Sequence, residues 1–275
     1  MPPSSFPEGE IKKFYQSYSD RILEKRFESP FPIRRYVHRT QYDALLAHVS
    51  PGLSVLDAGC GEGVISLLLA ERGIASTGVD LSLPNVERAQ AEAEKRGVGN
   101  LASFVVGDAE HLPFPDKSFD IVISSHVLEH LPDFDRGWQE LCRVARRRII
   151  VALPTGLNFC ALALLGGDHG YWQLSKKSLI AIPWGAMRTL GHLFGEGVQE
   201  GYAGHGELPH VWRFPWVMRR RLRHPDWKRV SYEASTLCLP YVNAFLPAVR
   251  WLDRYRSCPI LRNLGYGSIA VFEPR

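Results

Sequence analysis

The residues that could do chemistry sit at the ends of short apolar runs. The first run is Val55-Leu56-Asp57-Ala58-Gly59-Cys60-Gly61-Glu62-Gly63, an apolar stretch that breaks into a glycine-rich turn. Glycines there let the backbone approach a ligand closely, because no Cβ intervenes. A helix opening after the turn presents unpaired N–H groups and the positive end of its dipole, a setting for a carboxylate or a phosphate. Such a turn alone is common to nucleotide-binding α/β proteins. Asp80 follows the glycines by about 20 residues, the offset at which a carboxylate accepts from ribose hydroxyls. Gly107-Asp108-Ala109 and Ser124-Ser125 close two further apolar runs. His126 and His130 come next, and imidazole is the natural general base near neutral pH. Each residue also has a plainer reading: Asp80 as a helix cap, Asp108 as a strand end, Asp57 as organiser of its own loop, the histidines as loop residues. No group of His, Cys, Asp and Glu has metal-ligand spacing.

Bringing these groups into one crevice requires a particular alternation of elements. Short runs at 53–57, 75–80, 102–106, 119–124 and 148–153 read as strands, and 62–72, 84–96 and 133–146 read as helices between them. Ser82 is the expected cap of the second of these helices, with Gly73 and Gly97 as expected stops. Strands separated by helices make a parallel sheet with right-handed crossovers. The apolar continuity of FDIVIS and RIIVAL suits strands covered on both faces. Ahead of this core, helices are expected over 10–27 and 33–49, separated by Pro30 and Pro32. After Pro154 the alternation stops, and LNFCALALLGG and LIAIPWGAMRTLGHLF read as apolar segments of an inserted cap. A helix over 215–223 and strands over 227–235 and 267–273 complete the core.

Composition bounds the rest. With 275 residues, 45% hydrophobic and 23% charged, the chain suffices for one large α/β domain and is too apolar to be disordered. Cys60, Cys142, Cys160, Cys238 and Cys258 are widely spaced, which points to reduced thiols in a cytoplasmic setting. The polar, Pro-rich start MPPSSFPEGE does not read as a secretory signal, and no apolar stretch is long enough to span a membrane. The net charge is +4, yet residues 205–275 carry twelve Lys and Arg against five Asp and Glu, a net of +7. That excess fits an acidic acceptor, a nucleic acid, a membrane surface or a solvated face. Trp251 and Tyr255, interleaved with Arg250, Arg254 and Arg256, add the option of peripheral membrane contact beside ordinary core packing.

Four stretches, LDAGCGEG, GVDLS, GDAEHLPFPDKSFDIVISSHVLEHL and RIIVALPTG, follow in that order over residues 50–155. Together they resemble the class I S-adenosylmethionine-dependent methyltransferase superfamily, and within it the group related to ubiquinone and menaquinone methyltransferases. The resemblance implies S-adenosylmethionine as cofactor. It also implies an α/β fold, a Rossmann-like doubly wound sheet of about seven strands, mostly parallel with an antiparallel last strand, plus N-terminal helices and an inserted helical cap. The chain then divides into an N-terminal helical segment (1–50), a cofactor-binding core (51–154), the cap (155–210) and the C-terminal part of the core sheet (211–275). By the same resemblance, Asp57, Gly59 and Gly61 hold the methionine end, and Asp80 binds the ribose hydroxyls with Leu81 on the adenine. Asp108 and the Ala109 backbone take the adenine edge, and Ser125 lies near the transferred methyl. His126 is the candidate catalytic base. Tyr15 and Tyr18 occupy a place where family members fold an N-terminal helix over the cofactor; Tyr15, His169, Tyr171 and His210 are candidate contacts to the acceptor. A nicotinamide dinucleotide is the near alternative, disfavoured because the turn lacks the third glycine of that pattern at its usual offset.

The acceptor has to be read from segments outside the core. Residues 155–204 and 237–262 are rich in Leu, Phe, Trp and Gly, which suits a bulky, partly apolar small-molecule or lipid-like acceptor. A quinone precursor, a lipid-linked molecule and a polyketide-like compound all fit, although the insert after the fifth strand departs from compact quinone methyltransferases. Two other classes share the motifs. One is a non-catalytic cofactor-binding protein. The other is a nucleic-acid methyltransferase; Ser124-Ser125-His126-Val127 stands where base-modifying enzymes often carry an Asn-Pro-Pro-Tyr-like tetrapeptide, so no nucleic-acid partner is expected.

Overall fold

Strand residues that are apolar in an unbroken run can be satisfied only by cover on both faces, and the structure supplies it. The computed structural model describes residues 8–19, 26–168, 175–201, 209–237 and 242–275. It opens with α1 (Glu8–Ser17) and α2 (Pro32–Leu46), then alternates β1 (Val55–Ala58), α3 (Val64–Ala70), β2 (Ser76–Asp80), α4 (Leu83–Lys95) and β3 (Ala102–Val106). β4 (Phe119–Ser125), a 3-10 turn at Leu128–His130, α5 (Phe134–Val144) and β5 (Ala145–Pro154) follow. Then come α6 (Phe159–Leu165), α7 (Lys176–Gly191), β6 (Val198–Gly201), β7 (Pro209–Trp212), α8 (Pro215–Arg221), β8 (Trp227–Ala234), α9 (Leu246–Leu252) and β9 (Gly267–Pro274).

Seven strands form one sheet in the order β3-β2-β1-β4-β5-β9-β8. β1 to β5 pair in parallel, and β9, last in the chain, runs antiparallel to both β5 and β8. This is the expected Rossmann-like sheet with its antiparallel last strand. Period-2 alternation divides each central strand between two cores. Leu56, Val122, Ile149 and Phe272 pack against Phe134, Trp138 and Leu141 of α5 on one side. Val55, Ile121, Ile150 and Val271 pack against Leu45 and Leu46 of α2 and Ile65 and Leu69 of α3 on the other.

Most boundaries fall where expected, and the departures have physical causes. Ser82 caps α4, accepting from the Asn85 N–H at 3.3 Å, and Gly97 ends the turn beyond it at φ +69°. The helix expected over 10–27 ends at Ser17, because the Tyr18 carbonyl leaves the helical ladder to accept from the Ser82 hydroxyl at 2.6 Å. The helix expected through 146 ends at Val144. Ala145 is extended and pairs with Phe119, and Arg146 donates to the Lys117 carbonyl and to Asp120. Within the segment expected to be a helical cap, α6 and α7 are helices, but Val198–Gly201 pairs with Pro209–Trp212 as an antiparallel ribbon that the periodicity did not announce. None of the described helices is long and apolar enough to cross a membrane.

Candidate active site

The strand order reverses between β1 and β4, and the crevice outside the C-terminal ends of such strands is where open α/β sheets take ligands. The glycine turn after β1 is shaped from two sides. Gly59 has φ +78°, and a Cβ there would stand 2.3 Å from a methyl carbon of Val127, so only glycine fits. The Gly59 and Cys60 N–H groups donate to the Val79 carbonyl at 2.7 and 3.0 Å. From the end of β2, Asp80 accepts from the Gly61 N–H at 2.8 Å and the Ser82 N–H at 2.9 Å. The cap of α4 is Ser82 and not Asp80, which instead holds the Gly61 and Ser82 N–H groups from the wall of the crevice. Burial pushes the Asp80 carboxyl above the usual range, against the pull of those N–H bonds.

Asp57 is deeper, 1% exposed, and accepts from the Ser66 hydroxyl at 3.1 Å. Burial pushes its carboxyl up to about 7, with Ser66 opposing and Asp80 adding to the rise. At the end of β3, Asp108 accepts from the Glu110 N–H and from Lys12 Nζ, both at 2.8 Å. Burial raises its carboxyl, but these two donors outweigh burial and hold it below the usual range. A single cavity of about 460 Å³ takes in all eight expected cofactor residues, namely Asp57, Gly59, Gly61, Asp80, Leu81, Asp108, Ala109 and Ser125, together with His126 and Tyr15.

The N-terminal helix closes over this cavity. Lys12 bridges Asp108, the buried Glu110 at 2.7 Å and Glu8 at 3.0 Å. Tyr15 Oη is hydrogen-bonded to His130 Nδ1 at 2.9 Å, and the Tyr18 carbonyl is held by Ser82. Lys12 was not legible in the sequence, where Glu8 and Lys12 suggest only a solvated pair one helical turn apart.

His126 leaves the end of β4 at φ +57°, a left-handed conformation that costs a non-glycine residue about 1–3 kcal/mol. Its N–H still donates to the Ala152 carbonyl at 2.9 Å. The strained backbone turns the ring so that Nδ1 lies 3.2 Å from Oε1 of Glu129, a carboxylate only 3% exposed. Nε2 is buried without a hydrogen-bond partner among the described residues. Glu129 was missed as a site residue, though the spacing His126-x-x-Glu129 in SSHVLEHL was a usable sign. The same cavity is also lined by Tyr42, Tyr266, Pro154, Leu164 of α6 and Trp212 of β7. Buried His38 meets Tyr266 edge-on at 5.8 Å.

Of the expected acceptor contacts, Tyr15 lines the cavity, whereas His169 and Tyr171 lie outside the described residues. His210 is placed only through its backbone, opposite Glu200 in the β6–β7 ribbon. Many basic residues of the C-terminal third are individually engaged. Arg220 and Arg221 pair with Glu196, Arg256 pairs with Glu233, and Arg213 stacks over the Phe134 ring at 4.4 Å. Trp212 and Trp227 are core residues, while Trp251 and Tyr255 are exposed. Among the described residues no cluster of His, Cys, Asp and Glu could hold a metal ion.

Residues 56–153 match a family model described as a methyltransferase domain. A probable chloroplastic tocopherol O-methyltransferase of Oryza sativa subsp. japonica is 45% identical over 101 residues, covering 36% of this chain and 28% of the relative. A sterol 24-C-methyltransferase of Gibberella zeae is 30% identical over 147 residues, covering 50% of this chain and 39% of the relative. The chain thus spans about a third of the length of the curated relatives it matches. The same fold recurs in magnesium protoporphyrin IX methyltransferase from Synechocystis PCC 6803, solved with bound SAH, at a TM-score of 0.59 and 18% identity, covering 98% of this chain and 100% of that one. Residues 56–153 are thus similar to the methyltransferase-domain family, and the fold as a whole is similar to that of a solved methyltransferase.

Proposed function

We propose that this chain is an S-adenosylmethionine-dependent methyltransferase acting on a bulky, partly apolar small-molecule or lipid-like acceptor. One observation carries the reading. A single cavity is lined by three strand-end carboxylates, by His126 and by aromatic and apolar side chains. The residues fit the cofactor. The glycine turn offers backbone where a Cβ would clash, and the Asp80 carboxylate is fixed by two N–H groups while it lines the crevice.

In this reading Asp57 and the Gly59 and Gly61 backbone hold the methionine end, and Asp80 accepts from the ribose hydroxyls. Leu81 packs on the adenine, Asp108 and the Ala109 backbone take its polar edge, and Ser125 sits by the methionine end. When bound, S-adenosylmethionine supplies a methyl on a positively charged sulfonium, open to in-line displacement by an acceptor nucleophile. The chain then contributes alignment and exclusion of water, which supply much of such an acceleration. His126, on the cavity wall, is the residue that takes the proton of an acceptor hydroxyl or acidic carbon, with Glu129 beside Nδ1 to balance the imidazolium charge. Tyr42, Tyr266, Leu164 and Trp212 give the acceptor an apolar bed. Acceptors named for two relatives, a tocopherol and a sterol, are of that kind. The described cysteines Cys60, Cys142, Cys160 and Cys258 are free thiols, which supports a cytoplasmic setting.

Calorimetric titration with S-adenosylhomocysteine tests the first half of the proposal. Asp80→Ala should weaken binding by about 1–3 kcal/mol, as when charged hydrogen bonds are lost. Methyl transfer to sterols, prenylated phenols and polyketide-like aglycones, with glycine as the polar control, tests the second half. Heat with a nicotinamide dinucleotide and none with S-adenosylhomocysteine would refute the cofactor, and transfer to glycine alone would refute the acceptor class.

A further inference from the structure

The side chains of α7 are turned the wrong way for an ordinary surface helix. Its buried stripe is Ser178, Ala181, Gly185 and Thr189. These let it lie backbone to backbone on α6: a Cβ on Gly185 would stand 1.8 Å from the Leu162 carbonyl oxygen, and one on Gly166 1.8 Å from that of Ala181. The large side chains are therefore forced outward. Leu179, Ile180, Trp184, Met187 and Leu190 are each 61–66% exposed, and Phe194, just past the helix, is fully so. From Ile180 onward they are spaced three or four residues apart, and with Leu179 they make one continuous apolar stripe, the kind a soluble helix normally buries.

Charge chooses the occupant of this face. Residues 176–191 contain Lys176, Lys177 and Arg188 and no acidic residue. Lys176 and Lys177 are exposed and have no acidic partner among the described residues. The nearest acids in sequence on either side are engaged within the protein: Asp168 is buried and accepts from the Ser178 hydroxyl, and Glu196 pairs with Arg220 and Arg221. We infer that α7 docks in the surface of an anionic lipid bilayer, with its apolar stripe at the acyl boundary and its lysines among the phosphates. A stripe bearing Trp184 and Leu190, with cations near both ends, is the pattern of an interfacial helix. A protruding aromatic such as Phe194, with no wall around it among the described residues, suits a fluid acyl layer better than a rigid partner.

The placement has a use. α6, the helix beneath α7, contributes Leu164 to the cavity wall, so the packed pair α6–α7 links the docking face to the cavity. The inference rests on the proposed function only for that use, entry of an apolar acceptor from the bilayer, and not for the docking itself.

Co-sedimentation of the full chain with vesicles of phosphatidylcholine, with and without phosphatidylglycerol, tests it. The protein should pellet with the phosphatidylglycerol vesicles. Trp184→Ser/Phe194→Ser and Lys176→Glu/Lys177→Glu should each lower the partition coefficient at least about tenfold. Both sites are exposed, so the heat of S-adenosylhomocysteine binding should be unchanged and serves as the folding control. Protein left in the supernatant with both vesicle types, or variants that pellet like the wild type, would overturn the inference. So would a lipid-free dimer that Trp184→Ser/Phe194→Ser converts to monomer, since the face would then join two copies. Absent cofactor heat with intact pelleting overturns the proposed function and leaves the docking standing; the reverse result does the opposite.

Discussion

Replacing Asp57 with Asn isolates the electrostatic cost built into the end of β1. The carboxyl is 1% exposed, and burial pushes it from its ordinary 3.8 up to about 7. Over that interval the native protein keeps a proton that the unfolded chain has already released. Stability therefore falls as pH rises from about 4 to about 7 and stays low above that. The interval from 3.8 to about 7 corresponds to about 4 kcal/mol once the group is fully ionised. Asn keeps an acceptor for the Ser66 hydroxyl and cannot ionise. Urea unfolding at a series of pH values should therefore show wild type and Asp57→Asn nearly equal near pH 4. By about pH 8 the variant should be the more stable by as much as 4 kcal/mol. Cofactor binding gives a second readout. An ammonium beside Asp57 favours the carboxylate, so binding at about pH 6 should release a proton, seen as heat that varies with the ionisation enthalpy of the buffer. Asp57→Asn should release none. A stability difference that stays constant across the pH range would refute the reasoning, because Asp57 would then ionise with its ordinary acidity.

Other perturbations separate the remaining parts of the site. His126→Asn should lower methyl-transfer kcat by about 10²-fold or more while leaving S-adenosylhomocysteine affinity unchanged by calorimetry. Glu129→Gln, which preserves shape but removes the charge facing Nδ1, should lower kcat with KM unchanged and should alter the pH–rate profile. Lys12→Met leaves the buried Glu110 without its cation and should weaken the closure of α1 by about 1–3 kcal/mol, read as faster hydrogen exchange in residues 8–17. Gly185→Ala would force α7 away from the Leu162 carbonyl and should cost about 1–3 kcal/mol in thermal unfolding.

The alternation of strands and helices, the glycine turn, and the three carboxylates at the ends of β1, β2 and β3 were legible before folding. These are local properties. The apolar run in FDIVIS, the Ser82 cap and the left-handed glycines depend on neighbours within a few residues, and ligands collect at strand ends by the geometry of parallel sheets. What depends on a distant partner was hidden. Ala145 to Arg147 join a strand because Phe119 and Asp120 wait beside them, and four-residue β6 exists only because β7 returns to pair with it. Lys12 became the clasp of the N-terminal helix by meeting carboxylates about a hundred residues away. His126 and Glu129 were adjacent in sequence, but only the left-handed backbone at His126 turned one toward the other. The clearest case is α7. Its composition reads as an apolar segment to be buried, whereas contact with α6 through Gly166 and Gly185 fixed which side faces in. Tertiary packing chose the small stripe for the interior, because only small residues let two helix backbones touch.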